Sequence, residues 1–249
     1  MKRSSIVLTL IIMGASPVLM AGAKGALPGS AAKAWIGALS FGPVWSADVD
    51  TQTFYVAPDI IKTWQPNDTS HALGFIEVFG GQQKALNPNF QTQLGIAVAA
   101  TTRKKFQGII QDDADPQFSN YAYQFKAQHG HVALKGKLLA MMNSALTPWV
   151  SASLGVGFNR AHNYTNIPLI FEAVPNSNFG NHTQTAITWS AGAGVQKAFS
   201  QNMLIGVGYE FSDWGRVHLA PAYGQTLNTG LGYKHIYTNG VLVNLTLVA

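Results

Sequence analysis

The sequence predicts an all-β protein: a cleaved signal peptide, then one antiparallel up-and-down transmembrane β-barrel of about eight strands. Three observations carry that prediction. An export signal opens the chain, apolar and small polar residues alternate with period two, and short connections alternate with long ones.

The signal is tripartite. Lys2 and Arg3 give a positive start, Ile6 to Leu19 form an apolar stretch, and Ala21-Gly22-Ala23 sets small residues at the −3 and −1 positions. An anchoring helix needs about 20 apolar residues, and Gly14, Ser16 and Pro17 interrupt this run. The expected division is a signal peptide over 1–23, an N-terminal periplasmic segment over 24–32, and an outer-membrane barrel over 33–249.

Composition agrees. Apolar residues make up 47% of the chain and charged residues 11%, against about 25% charged in a typical soluble domain. After Ala23 no run of about 18 apolar residues recurs, so no further helix is expected to span a bilayer. The absence of cysteine excludes disulfide scaffolds, thiolate metal sites, iron–sulfur clusters and thiol nucleophiles. The formal charge of +5 is a mild surplus spread along the chain. It forms no nucleic-acid stripe, and basic groups near the outer leaflet are suited to lipopolysaccharide phosphates.

Alternation is clearest from Val150 to Phe158, where Val150, Ala152, Leu154, Val156 and Phe158 oppose Ser151, Ser153, Gly155, Gly157 and Asn159. The pattern returns over Ile187–Gln196, Ile205–Ser212 and Leu231–Leu247. A soluble sandwich also alternates. Here, however, the non-apolar faces are Gly, Ser, Thr, Asn and Gln with few charges, which suits a narrow filled lumen better than a solvated face. Further strands are expected near 33–44, 72–82, 90–101 and 120–140. In the last, Tyr121, Tyr123 and Phe125 are odd, whereas Val132, Leu134 and Leu138 are even, which predicts a β-bulge near Gln128 to Gly130. Short turns are expected near 83–89, 141–147 and 198–202, and long loops near 45–71, 102–119, 160–183 and 213–229. That layout puts both termini in the periplasm.

Several stretches together resemble a known group. These are Gln111-Asp112-Asp113-Ala114-Asp115-Pro116-Gln117-Phe118, Asn120-Tyr121-Ala122-Tyr123, Val132-Ala133-Leu134-Lys135-Gly136-Lys137, Ser153-Leu154-Gly155-Val156-Gly157-Phe158-Asn159 and Gly208-Tyr209-Glu210-Phe211-Ser212-Asp213-Trp214-Gly215. The chain resembles small outer-membrane β-barrel proteins of Gram-negative intracellular bacteria, OmpA-transmembrane-domain-like in form. The resemblance implies a fold and a location, and no activity. One departure is the C-terminus, Leu247-Val248-Ala249, where such barrels commonly end on an aromatic read by the barrel-assembly machinery.

The candidate site is a lumen salt-bridge network of Glu77, Lys135, Lys137 and Glu210, because ionised groups inside a narrow barrel are costly unless paired. In a functional version the network gates small ions. Trp149, Tyr121, Tyr123, Tyr209 and Trp214 near strand ends are expected to form an interfacial aromatic girdle. His129 and His131 have the spacing of two metal ligands but lack a third, so no metal or other cofactor is expected. Asp112, Asp113 and Asp115 read as a solvated loop without EF-hand spacing. The loop residues His162, His182, His218, Ser212 and Asp213 carry no Gly-x-Ser-x-Gly elbow, so no catalytic centre is expected. The reading is a structural or surface-interaction barrel acting through its extracellular loops. Its partners are outer-membrane lipid and lipopolysaccharide, and host or envelope surface molecules. The alternatives are a narrow porin-like channel for ions or small solutes and, more distantly, an outer-leaflet lipid-modifying enzyme.

Overall fold

The computed structural model describes residues 33–67, 72–142, 145–174 and 176–249. The expected signal peptide and the 24–32 segment lie outside the described residues.

Eight strands form the barrel. They are Lys33–Ser46 (β1), Leu73–Asn87 (β2), Phe90–Thr101 (β3), Tyr121–Ala140 (β4), Thr147–Pro168 (β5), His182–Ala198 (β6), Met203–Asp213 (β7) and Tyr237–Val248 (β8). Each pairs antiparallel with the next, and β8 returns to β1, for example Leu39 opposite Leu245. Closure leaves the ring without a free edge, so its peptide groups bond within the wall. The short turns and both described chain ends lie at one rim, where Trp35 and Ala249 exchange backbone hydrogen bonds.

The opposite rim is built up further. Gln52–Ala57 and Ile60–Pro66 form a hairpin, which pairs with Lys104–Asp112, and that strand in turn runs along the upper part of β4. All four segments expected to be long loops contain strand: 45–71, 102–119, 160–183 with the upper ends of β5 and β6, and 213–229 with short strands. The fourth, 213–229, belongs to a segment over 214–236 that folds inward. Its short strands Val217–His218 and Gly232–Tyr233 pair with each other, and Leu219 and Leu231 are wholly buried.

The strand wall crosses two environments. In the lower barrel the outward residues are apolar: Val98, Val132, Leu134, Leu154, Val156, Ile187 and Val207 are all about half exposed or more. The inward ones are Ser40, Glu77, Gln93, Ser153, Ser190, Glu210 and Thr246. Towards the upper rim the sides exchange. Phe106, Ile110, Tyr121, Tyr123, Phe125, Tyr164 and Leu231 form an apolar core inside, while Lys105, Gln124, Lys126 and Arg160 are exposed outside. On β5 the apolar outer row runs from Val150 to Phe158. At about 3.4 Å per residue and a tilt of about 40° this spans roughly 20 Å, near the ~25 Å apolar band of membrane barrels.

This exchange corrects the expected bulge. β4 pairs with β5 without interruption from Lys126 to Leu139, and Tyr121, Tyr123, Phe125, His129 and His131 all face inward with the other odd residues. The strand keeps its parity, and the surroundings change from water outside an apolar core to hydrocarbon outside a polar one. The irregularity lies on β5 instead. Asn163 and Tyr164 stand opposite Phe125, and Asn163 has a positive φ of 57°.

The girdle also needs correction. Trp149, Tyr121, Tyr123 and Trp214 are buried inside the barrel, and of the five expected residues Tyr209 alone is exposed. Their parity explains it, because Trp149 follows Ser151 and Ser153 onto the inner face. Outward aromatics nearer the rims include Trp189 and Tyr237, each in ring contact with Phe211, towards the upper rim, and Trp35, Phe90 and Phe199 towards the lower.

Candidate functional site

Three strands carry charge into the lower lumen. Lys135 Nζ on β4 lies 2.7 Å from Glu77 Oε1 on β2 and 2.9 Å from Glu210 Oε2 on β7, so one ammonium bridges two carboxylates across the bore. All three side chains are buried or nearly so. Lys137 is not joined to either carboxylate. Its Nζ donates to Gln196 Oε1 at 2.7 Å and sits 4.3 Å from the centre of the Trp149 ring, a cation–π contact that offsets part of its desolvation. The space beside this cluster is about 30 Å³, room for one or two waters.

Trp149 reaches across because glycine faces it. A Cβ at Gly208 or Gly194 would lie 2.4 or 2.5 Å from its indole carbons. Gly194 and Gly208 therefore admit one particular ring.

Above the ion pairs a polar chain meets the inward-folded segment. Asn159 Nδ2 donates to the carbonyls of Trp214 and Arg216 at 2.7 and 2.8 Å. Its Oδ1 therefore faces His129 Nδ1, at 2.7 Å, and accepts from it. That leaves His129 Nε2 as the acceptor for His131 Nδ1, at 2.9 Å. The two histidines thus bond to each other, and His129 stacks on Trp214 at 4.7 Å with the planes 4° apart. Through Asn159 the β4–β5 wall holds the start of the 214–236 segment.

The upper chamber has a cavity of about 280 Å³ lined by Ile60, Trp64, Ile110, Tyr164, Phe179 and Tyr223 among others. At its edge Lys62 Nζ pairs with Asp112 Oδ1 at 2.5 Å and donates to Asn176 Oδ1 at 3.0 Å. The hairpin leans on the inward segment, with Thr226 N donating to Val56 O at 3.0 Å and Gln52 Nε2 to Gly232 O.

The remaining sequence candidates are dispersed. Asp112 also accepts from Asn120 Nδ2, and Asp115 caps a short 3₁₀ turn by accepting from Gln117 N. Asp213 holds His235 Nδ1 at 2.7 Å, while Ser212, the hydroxyl next in sequence to Asp213, faces inward towards Glu210. His182 and His218 stack on each other at 4.3 Å.

No family model matches the sequence, and no curated protein matches it. Among solved structures the chain is similar in fold to the outer membrane protease OmpT of Escherichia coli, at 9% identity and a TM-score of 0.48, covering 87% of this chain and 97% of that one. It is also similar to Neisserial surface protein A, at 10% identity and a TM-score of 0.42 over 86% and 96% of the two chains. A third is the outer membrane protein AlkL, at 11% identity and a TM-score of 0.39 over 94% and 96%.

Proposed function

We infer that the protein is an outer-membrane barrel with a closed bore, which works through the structured extension on its long-loop side. The observation that carries this is the double closure of the lumen. Lys135 ties Glu77 to Glu210 across the lower half, and the 214–236 segment fills the upper half with Val217, Leu219, Leu231 and Tyr233. A conducting pore keeps a continuous wet path, whereas here an apolar core stands in series with a salt-bridged plug. The apolar outer band and the aromatics towards each end support the membrane placement, and the short-turn rim with both chain ends is assigned to the periplasm.

The extension is ordered by strand pairing and by packing against 214–236, so it offers a preformed surface to lipopolysaccharide or to host and envelope molecules. No residue set is assigned a catalytic role. Planar-bilayer recording on the refolded chain tests the reading: the expected trace is silent, and Glu210→Gln leaves it silent while the Asn159 anchor is intact. A steady current from the wild-type protein, changed by Glu210→Gln, assigns it instead to the channel class.

A further inference from the structure

Just above the apolar band, on the outside of the wall, basic residues from three adjacent strands come together. The highest outward row of the band is Ala100 on β3, Gly130 on β4 and Phe158 on β5, aligned by register. The next row on β4 and β5 is Gln128 and Arg160, with Arg103 in the short link after β3. The row above sets Lys105 directly opposite Lys126, which is itself opposite His162. Arg103, Lys105, Lys126 and Arg160 are all exposed, and none forms an ion pair with a carboxylate among the described residues.

Two further observations bear on what this cluster is for. Like charges directly opposite across a strand pair are destabilising, so the Lys105–Lys126 pairing is unfavourable until an anion lies between them. His162 reports the crowding. Its imidazole is held below its usual range first by burial and also by the nearby Arg160, Arg103 and Lys126, against the opposing hydrogen bond to Asn163. The height is equally informative. Two rows at about 3.4 Å per residue place the cations roughly 7–14 Å along the strand beyond the last apolar row, the depth of headgroups beyond the hydrocarbon.

We propose that Arg103, Lys105, Lys126 and Arg160 form a docking site for a phosphate-bearing lipid of the outer leaflet, with lipid A as the fitting class: its phosphates lie among the four cations and its acyl chains run down the wall over Phe158, Val132 and Val98. The site rests on the outer-membrane reading above and names the lipid that the extension meets. Arginine supplies planar forks for phosphate oxygens and lysine a point charge. The apolar wall beneath distinguishes a lipid from a free anion, because only a lipid uses both halves of the site.

The test is native mass spectrometry of the refolded full chain in neutral detergent, titrated with bis-phosphorylated lipid A. Wild type is expected to retain the lipid, with at least tenfold weaker binding for dephosphorylated lipid A and for the Arg103→Gln/Lys126→Gln/Arg160→Gln variant. Lys126→Gln alone, an exposed change that spares the fold, gives a smaller loss. Lys197→Gln, an outward charge low on the barrel, gives none. Millimolar inorganic phosphate does not displace the lipid. Equal binding by wild type and the triple variant, indifference to the lipid's phosphates, or displacement by inorganic phosphate each overturns the proposal. A chain that fails to enter bilayers defeats the outer-membrane reading instead, whereas one that inserts but ignores lipid phosphates defeats this site alone.

Discussion

Replacing Lys135 by Met leaves Glu77 and Glu210 facing a bore that has lost their shared cation. Removing one partner of a buried ion pair costs about 3–5 kcal/mol. Lys135 serves two carboxylates, at 2.7 and 2.9 Å, and both are under a tenth exposed, so the upper end of about 5 kcal/mol applies. Against a total stability of about 5–15 kcal/mol, that is a third or more. The assay is urea unfolding of the protein in lipid vesicles, followed by its heat-modifiable gel migration and tryptophan fluorescence. Adding Glu77→Gln and Glu210→Gln to Lys135→Met removes the unpaired charges and is expected to restore most of the loss. A deficit below about 1 kcal/mol for Lys135→Met, the range of a solvent-exposed pair, refutes the buried bridge. So does a full deficit that the two Gln changes leave untouched.

Three further outcomes follow from the same geometry. Gly208→Ala places a methyl 2.4 Å from the Trp149 ring, so it is expected to cost about 1–3 kcal/mol by overpacking and to shift the indole emission; Trp149→Ala beside it relieves the strain. Asn159→Ala removes three hydrogen bonds, to Trp214 O, Arg216 O and His129, two of them buried and one part-buried. It should cost about 2–3 kcal/mol and speed amide exchange within 214–236 more than in the lower strands. Leu154, 62% exposed midway along the apolar row of β5, should cost about 2–4 kcal/mol as Arg, whereas Gln124→Arg above the band should be near neutral; vesicle unfolding measures both.

How much of this the sequence disclosed depended on whether one strand met one environment. Over Val150–Phe158 and Ile205–Phe211 the outside is uniformly apolar, so period two marked inward and outward faces correctly. β4 is longer than the apolar band. Its apolar residues lie inside over Tyr121–Phe125 and outside over Val132–Leu138, which imitates a register slip in a strand that has none. Trp149 carried the opposite lesson, since its odd parity, shared with Ser151 and Ser153, already placed it on the small polar face, and its position near a strand end drew it to the girdle. Glu77, Lys135 and Glu210 were visible because charge inside a barrel needs a partner. That Lys137 turns to Gln196 and Trp149 instead was not, because the choice depends on angular position around the bore. The extension strands Gln52–Ala57 and Ile60–Pro66 were hidden by turn-forming Asp and Pro residues around them. Arg103, Lys126 and Arg160 are far apart in sequence, and only the β3–β4–β5 register gathers them.

The even-numbered face of β4 leaves water and enters lipid without changing sides. The chain has no cysteine of its own, so single cysteines at 124, 126, 128, 132, 134 and 138 can be spin-labelled one at a time. Collisions with oxygen and with a water-soluble nickel complex then report what each label touches in a bilayer. Nickel contact is expected at 124 and 126, a crossover between 128 and 132, and oxygen contact with nickel excluded at 134 and 138. Nickel access at 132–138, or nickel exclusion at 124 and 126, contradicts it.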